Sequence, residues 1–464
     1  MSVERVTLLS WSRGRRQLAF HFGADGLRFN TTYWYGDVDL PALEAKHGVD
    51  AMERLYAHIA AFELNKLCSL APREIDLGPF ARHLTPRLEA VWREVLHRVW
   101  AQWRYEHHRP DYGGPLFVSR PADALIEPMG HAIGGVEALA FCGGGKDSLV
   151  ALKLMERAGI AFDSLAYAVS HYGPAAMQHG LIDGLLDRCA PRQRRRMWVY
   201  DDFLDSPVLS AGEVEGVASL TAAETPSSVF AALPLVLQHG YRWLVLGHEA
   251  SANTGNLVWD ATGEEVNHQW GKSLAAEKLL AEYIQTVLVE DARYFSVLQP
   301  VHDPVIFSLL RDDIDAVAST HSCNVAKPWC ERCPKCAYVY LGYLAWLPVE
   351  TVRGVFRTHL FDTPANVDHY RAMLGLTDHT PFECIGQVDE VRLFFEMCHR
   401  KGIGGAAMEL YRAAFPALEW RSIAARHCAV GAETLPAAFA AVLPLLHAGA
   451  ARARDGIAAL MEAR

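Results

Sequence analysis

Phe141-Cys142-Gly143-Gly144-Gly145-Lys146-Asp147-Ser148 follows a short apolar run, Ala138 to Phe141, and precedes a helical pattern from about Ser148 to Ala158. Glycines between a buried strand and a helix let the backbone turn tightly and bring its N–H groups against an anion. The helix start adds a partial positive charge, Ser148 can cap that helix or bond a phosphate oxygen, and Lys146 offers a full charge. Asp147 alone would repel phosphate, which points to a Mg²⁺ ion bridging to a nucleotide. A plain strand-to-helix turn also uses Gly and Ser. Three consecutive glycines followed by Lys-Asp-Ser favour phosphate, with Gly143, Gly144, Gly145, Lys146, Asp147 and Ser148 as its ligands.

Around this loop the chain alternates strand and helix. Strands are predicted at Leu165 to Val169, Met197 to Tyr200 and Trp243 to Leu246, and a helix at Ser227 to His239. Such alternation makes a parallel sheet covered on both faces, hence an α/β fold. Upstream, Val6 to Trp11 and Gln17 to Phe22 flank Ser12-Arg13-Gly14-Arg15 as a hairpin. Helical patterns follow at Ala42 to Leu70 and Leu88 to Tyr105, then a Pro- and Gly-bearing linker, Arg109 to Pro128. After Pro348 the pattern is helical and Ala-rich. The expected organisation is an α+β segment at 1–135, a nucleotide-binding α/β domain at 136–345 and a helical domain at 346–464.

The 464 residues are 51% hydrophobic and 21% charged, which excludes disorder as the main state. A net charge of −10 speaks against non-specific nucleic-acid binding. The Met1 to Arg16 stretch lacks a signal-peptide pattern, and the longest apolar run, Leu435 to Leu446, holds Pro436 and Pro444, so no membrane span is expected. Ten cysteines in so long a chain make no disulfide framework, and a reducing, cytoplasmic setting is expected.

Cys323, Cys330, Cys333 and Cys336 are spaced x6, x2, x2. Short Cys-x-x-Cys steps can converge four thiolates on a structural Zn²⁺. Lys327, Arg332 and Lys335 lie among them and can offset the charge. The alternative is four free thiols that happen to be near one another. Two other stretches fail as motifs. Gly271-Lys272-Ser273 lacks the P-loop glycine, because Val266 stands there, and His248-Glu249 lacks a second histidine, because Ala252 stands there.

Cys142 to Ser148 resembles the Ser-Gly-Gly-x-Asp-Ser loop of the N-type ATP pyrophosphatases, with Cys142 in place of Ser, and Leu246-Gly247-His248-Glu249 resembles their later strand end. That likeness implies a PP-loop (HUP-like) fold and cleavage of ATP to AMP and pyrophosphate. The four-cysteine spacing is similar to that of the 7-cyano-7-deazaguanine synthases, the rival reading, in which a nucleobase precursor or tRNA is adenylated; their shorter chains leave both flanks unexplained. The flanks resemble the UDP-N-acetylmuramoyl-L-alanyl-L-glutamate epimerases of the MurL type. The blocks that carry this are Ala60-Ala61-Phe62-Glu63-Leu64, Ala71-Pro72-Arg73-Glu74-Ile75, Val266-Asn267-His268-Gln269, Trp329 to Cys336, Leu360-Phe361-Asp362 with Pro364-Ala365-Asn366, and Pro381-Phe382-Glu383-Cys384-Ile385-Gly386. The resemblance implies an ATP- and Mg²⁺-dependent isomerase of peptidoglycan precursor synthesis. Its substrate would be a UDP-muramoyl dipeptide or related glutamyl peptide, whose terminal L-Glu becomes D-Glu.

Adenylation removes the negative charge beside the α-carbon and lets the carbonyl carry the carbanion's electrons. Inversion then needs proton-transfer groups on both faces. Cys142 and Cys384 could form a thiol pair, with Cys142 expected to be the more acidic because of Lys146 and the helix start. His268 and Lys272 would share a face if helical; Lys272 is expected on the ATP phosphates, and His268 remains a catalytic candidate or a surface group. Arg192, Arg194, Arg195 and Arg196 could receive a pyrophosphate or form a solvated face. Tyr33-Trp34-Tyr35 could stack a uracil or fill a hairpin.

Overall fold

Apolar runs with no polar alternation need cover on both faces, and the strands behind the glycine loop have it. In a computed structural model of the chain, which describes residues 3–122, 126–204, 206, 223–431 and 435–463, one sheet organises the protein. Its strands are β1 (Arg5–Arg13), β2 (Gln17–Ala24), β3 (Leu27–Tyr35), β4 (Glu74–Asp76), β5 (Leu116–Phe117), β6 (Ala138–Cys142), β7 (Phe162–Val169), β8 (Arg194–Asp201), β9 (Trp243–Leu246) and β12 (Arg293–Ser296). A separate two-stranded ribbon pairs β10 (Leu257–Trp259) with β11 (Glu264–Val266).

The spatial order of the sheet is β12-β9-β6-β7-β8-β3-β2-β1-β4-β5. From β12 to β8 every pairing is parallel. Relative to β6 this is the order of a doubly wound α/β sheet, and its winding reverses between β6 and β9. Beside β8 the sheet turns antiparallel through β3, β2 and β1, so the N-terminal meander and the parallel strands share one set of ladders. The predicted hairpin is present and the predicted strands match β6 to β9. β3 alternates along its nine residues, but its pairing with β8, like that of the short β12 with β9, joins strands remote in the chain.

The expected helix Ala42 to Leu70 is broken. Helix Leu40–His47 ends at Gly48, whose φ of 90° no β-carbon tolerates cheaply, and Val49–Glu63 runs on into a 3₁₀ turn. The second, Leu88 to Tyr105, is helix Pro86–Val99 and a short Ala101–Glu106, parted at Trp100. The linker reading Arg109 to Pro128 falls partly outside the described residues, at 123–125. On the C-terminal side, helix Pro334–Trp346 is buried along nearly its whole length, against helices Val388–Arg400 and Asp303–Leu309. Among the described residues no helix is long and apolar enough to cross a membrane.

Candidate active site

Ligands of open α/β sheets bind at the carboxyl ends of the strands, where the winding reverses. The glycine loop after β6 lies at that point. Gly145 caps helix Lys146–Arg157 with no side-chain hydrogen bond, so the first-turn N–H groups face the loop without a capping oxygen. Ser148 does not cap the helix; its hydroxyl oxygen accepts from Gly143 N–H at 3.3 Å. Gly144 is required on two counts. Its φ is +87°, and a β-carbon there would lie 2.0 Å from His321 Cε1. The His321 N–H donates to the Gly144 carbonyl at 2.8 Å, which ties the loop to the chain just before the cysteine cluster.

Lys146 departs from expectation. Its ammonium is buried, bridging the Asp147 and Asp303 carboxylates, and lies 4.8 Å from the Phe307 ring centre. It braces the loop from behind and does not line the cavity in front. Asp147 does line it. Burial opposes its ionisation, but Lys146 and Lys335 overcome this and hold the carboxyl below its usual range. An ionised carboxylate beside free helix N–H groups suits a divalent cation shared with a phosphate.

The cavity, about 290 Å³, is closed by chain segments that meet only in three dimensions. Its far wall carries His268, Lys272 and Cys384. The Lys272 Nζ lies 2.8 Å from Cys384 Sγ, and His268, Glu383 and Cys384 present their polar atoms within 4.8 Å of one another. His268 sits in a turn and Lys272 in a 3₁₀ turn, so the expected helical face is not what joins them. Burial pushes the Cys384 thiol up, yet the Lys272 ammonium and the His268 imidazole more than reverse this and bring it down to about 6. At neutral pH it is a thiolate. Lys272, expected on phosphates, has this sulfur as its partner.

Cys142 behaves in the opposite way. It lines the same cavity, but burial pushes its thiol up to about 12, against a weaker pull from the Gly144 backbone. The expected acidic thiol at Cys142 is therefore corrected: full enclosure outweighs the helix end. Lys146, turned away, supplies no relief.

His268 is oriented from a distant helix. Gln102 Nε2 donates to Glu106 at 2.9 Å, which leaves Gln102 Oε1 to accept from His268 Nδ1 at 2.7 Å. That assignment makes His268 Nδ1 a donor. Gln102 is separated from His268 by 166 positions, so no sequence spacing signals it. The Cys384 segment is held by Gln269 Nε2 donating to Ile385 O at 2.8 Å, by Asn324 donating to Glu383 at 2.9 Å and by Lys335 donating to Cys384 O.

The four cysteine sulfurs lie within 4.8 Å of one another, with Cys323 to Cys333 and Cys330 to Cys336 both at 3.8 Å. Tetrahedral Zn–S bonds of about 2.3 Å require sulfurs about 3.8 Å apart. Backbone N–H groups of Val325 and Ala326 donate to Cys323 Sγ, both at 3.3 Å, and that of Cys336 to Cys333 Sγ at 3.4 Å, which stabilises thiolate charge. The donor set therefore suits zinc. The same knuckle presents Asn324, Lys327 and Lys335 to the cavity, so these lysines serve the cavity wall as well as the sulfurs. Arg332 is exposed.

Two other sequence candidates are placed elsewhere. Arg194 pairs with Asp187 at 2.8 Å, Arg195 with Asp163 at 2.9 Å, and Arg196 with Asp183 at 2.5 Å, so the basic run belongs to β8 and its carboxylate partners. Tyr33 and Tyr35 are core residues of β3, and Trp34 is exposed.

Residues 7–297 match the family described as the MurL N-terminal domain, and residues 318–419 the one described as the MurL C-terminal domain. Relatives named UDP-N-acetyl-alpha-D-muramoyl-L-alanyl-L-glutamate epimerase include one from Salinispora tropica, 32% identical over 66% of this chain and 65% of its own length. Others come from a Micromonospora species, 31% identical over 69% of each chain, and from Xanthomonas oryzae pv. oryzae, 30% identical over 59% of each. The matched stretches thus span between 59% and 69% of these relatives. On both flanks and through the loop and the cysteine knuckle, this chain belongs to the MurL family.

Proposed function

We propose that the protein inverts the terminal L-glutamate of UDP-N-acetylmuramoyl-L-alanyl-L-glutamate, or of a related glutamyl peptide, at the expense of ATP. The observation that carries this is Cys384, with the Lys272 ammonium 2.8 Å from its sulfur, in the same cavity as a glycine loop and Asp147. One half of the cavity suits nucleotide phosphates and the other suits proton abstraction, and such a pairing serves a reaction in which activation precedes deprotonation. The strand order and the loop at the reversal point support a PP-loop fold. The MurL membership supports the substrate class.

In this reading Gly143 to Gly145 and the helix start hold the phosphates, and Asp147 holds Mg²⁺, which neutralises phosphate charge when bound. The substrate α-carboxylate attacks the α-phosphorus and pyrophosphate leaves. The resulting acyl adenylate no longer sets a negative charge beside the α-carbon, so its proton becomes acidic. Cys384, kept ionised by Lys272 and His268, removes that proton. Cys142, which keeps its proton at neutral pH, donates from the other side. Unequal thiol acidities suit inversion, because one group must start empty and the other loaded. Water then cleaves the anhydride and releases AMP with the D-glutamyl product. The four-cysteine knuckle would hold Zn²⁺ as a structural ion, which would fix the wall carrying Lys327 and Lys335.

The test is incubation with the L-Glu dipeptide nucleotide in deuterated water. Deuterium should enter the glutamyl α-carbon only with ATP and Mg²⁺, with AMP and pyrophosphate formed alongside. Exchange of equal rate without ATP, or release of ADP, rejects the reading. Asp147→Asn should abolish AMP release while the circular dichroism spectrum stays unchanged.

A further inference from the structure

Outside the cavity, three residues remote in sequence bring metal-ligating atoms together. His302 caps helix Asp303–Leu309, Glu390 stands in the first turn of helix Val388–Arg400, and His427 ends helix Trp420–His427. Glu390 Oε1 lies 3.4 Å from His302 Nδ1 and 3.6 Å from His427 Nδ1, and the donor atoms of all three fall within 4.8 Å of one another. None of the three lines the cavity at the glycine loop.

These separations are long for charge-assisted hydrogen bonds, which close to about 2.7–2.9 Å. They match a shared cation: ligand bonds of about 2.0–2.1 Å in tetrahedral array set neighbouring donors about 3.4 Å apart. His427 adds a second observation. It is 2% exposed, and among the described residues neither of its ring nitrogens has a hydrogen-bond partner. A buried imidazole without partners is rare and costly, and ligation satisfies it. Glu390 is oriented for the same task. Its Oε2 accepts from Gln387 N–H at 2.6 Å, which leaves Oε1 for the histidines and for the Ser251 hydroxyl, 2.7 Å away. The carboxyl end of a helix, where His427 sits, also favours positive charge.

We propose that His302, Glu390 and His427 form a second metal site, for a first-row divalent cation of the zinc type, distinct from the four-cysteine knuckle. Two imidazoles and one carboxylate are the donor set such ions prefer over Mg²⁺ or Ca²⁺. The fourth position is open to water, while the Ser251 hydroxyl, which donates to Glu390 Oε1 at 2.7 Å and lies 3.3 Å from His302 Nδ1, orients the carboxylate from outside the ligand set. The ion would clamp two C-terminal helices to the residue preceding Asp303, the carboxylate that pins Lys146 behind the glycine loop. It would thereby join the C-terminal helices to the floor of the nucleotide site.

Full-length protein stripped with a chelator and titrated with Co²⁺ tests this. Cobalt on thiolates adds sulfur-to-metal charge-transfer absorption in the near ultraviolet; cobalt on nitrogen and oxygen gives visible bands alone. The expected result is an equivalent of Co²⁺ whose visible bands appear without charge transfer, lost in His302→Gln and retained in Cys333→Ser, with Zn²⁺ displacing it. His302 is the variant of choice because its side chain is 23% exposed. Should Cys333→Ser not fold, the spectral separation in the unaltered protein decides. Uptake confined to the thiolate spectrum, a stoichiometry unchanged in His302→Gln, or no uptake at all overturns the second site. Loss of the thiolate spectrum alone would count against the knuckle's zinc and leave this proposal standing.

Discussion

Lys272→Met removes the charge that holds Cys384 ionised and leaves a side chain of similar length. An ammonium 2.8 Å from a sulfur anion, at an effective dielectric constant of about 20, is worth roughly 6 kcal/mol, or about 4 in pKa. Burial consumes part of that, which is why the thiol settles at about 6. Burial, His268 and Lys335 act as before, so removing Lys272 leaves an expected thiol pKa of about 10. At pH 7.5 the thiolate fraction would then fall from nearly complete to about 0.3 per cent, about 300-fold. The sign is that of a depressed acid: the unaltered protein loses thiolate as pH falls through about 6, and the variant loses it already in the alkaline range. Alkylation by iodoacetamide, followed across pH by mass spectrometry of the peptide containing Cys384, reads this directly. A midpoint near 6 in both proteins would refute the role given to Lys272. A midpoint near 9 in the unaltered protein would refute the thiolate itself.

Further outcomes follow from other contacts. Gly144→Ala sets a β-carbon 2.0 Å from the His321 ring at a φ of +87°; it should cost about 1–3 kcal/mol, seen as a lower Tm with loss of ATP binding by calorimetry. Gln102→Leu should lower kcat by roughly tenfold with little change in KM, because His268 loses its Nδ1–H acceptor, while Gln102→Glu keeps the acceptor and most of the rate. Removal of the zinc proposed for the cysteine knuckle should lower the Tm and the rate of AMP release together, since Lys335 lies between two of its cysteines and holds the Cys384 segment. Re-addition of zinc should restore both.

The local features were legible in the chain because their causes are local. A glycine loop between an apolar run and a helix, the Trp243–Leu246 strand, and four cysteines at short spacing each depend on neighbours within a turn or two. The break at Gly48 and the 3₁₀ turn at Lys272 were hidden, since hydrophobic periodicity reports which face is buried and is nearly silent on where a helix stops. The short strands β4, β5 and β12 exist through their partners and carry no period of their own.

Charge and protonation were decided by the tertiary structure alone. Lys272 and Cys384 stand 112 positions apart and meet at 2.8 Å, so no spacing rule could announce a thiolate there. Cys142 carries the same side chain beside a helix start, yet complete enclosure makes it the weaker acid. Amino-acid order told which groups can ionise and where the backbone can approach a phosphate. Which of them do ionise depends on the water excluded and the charges assembled around each one, and those are properties of the folded molecule.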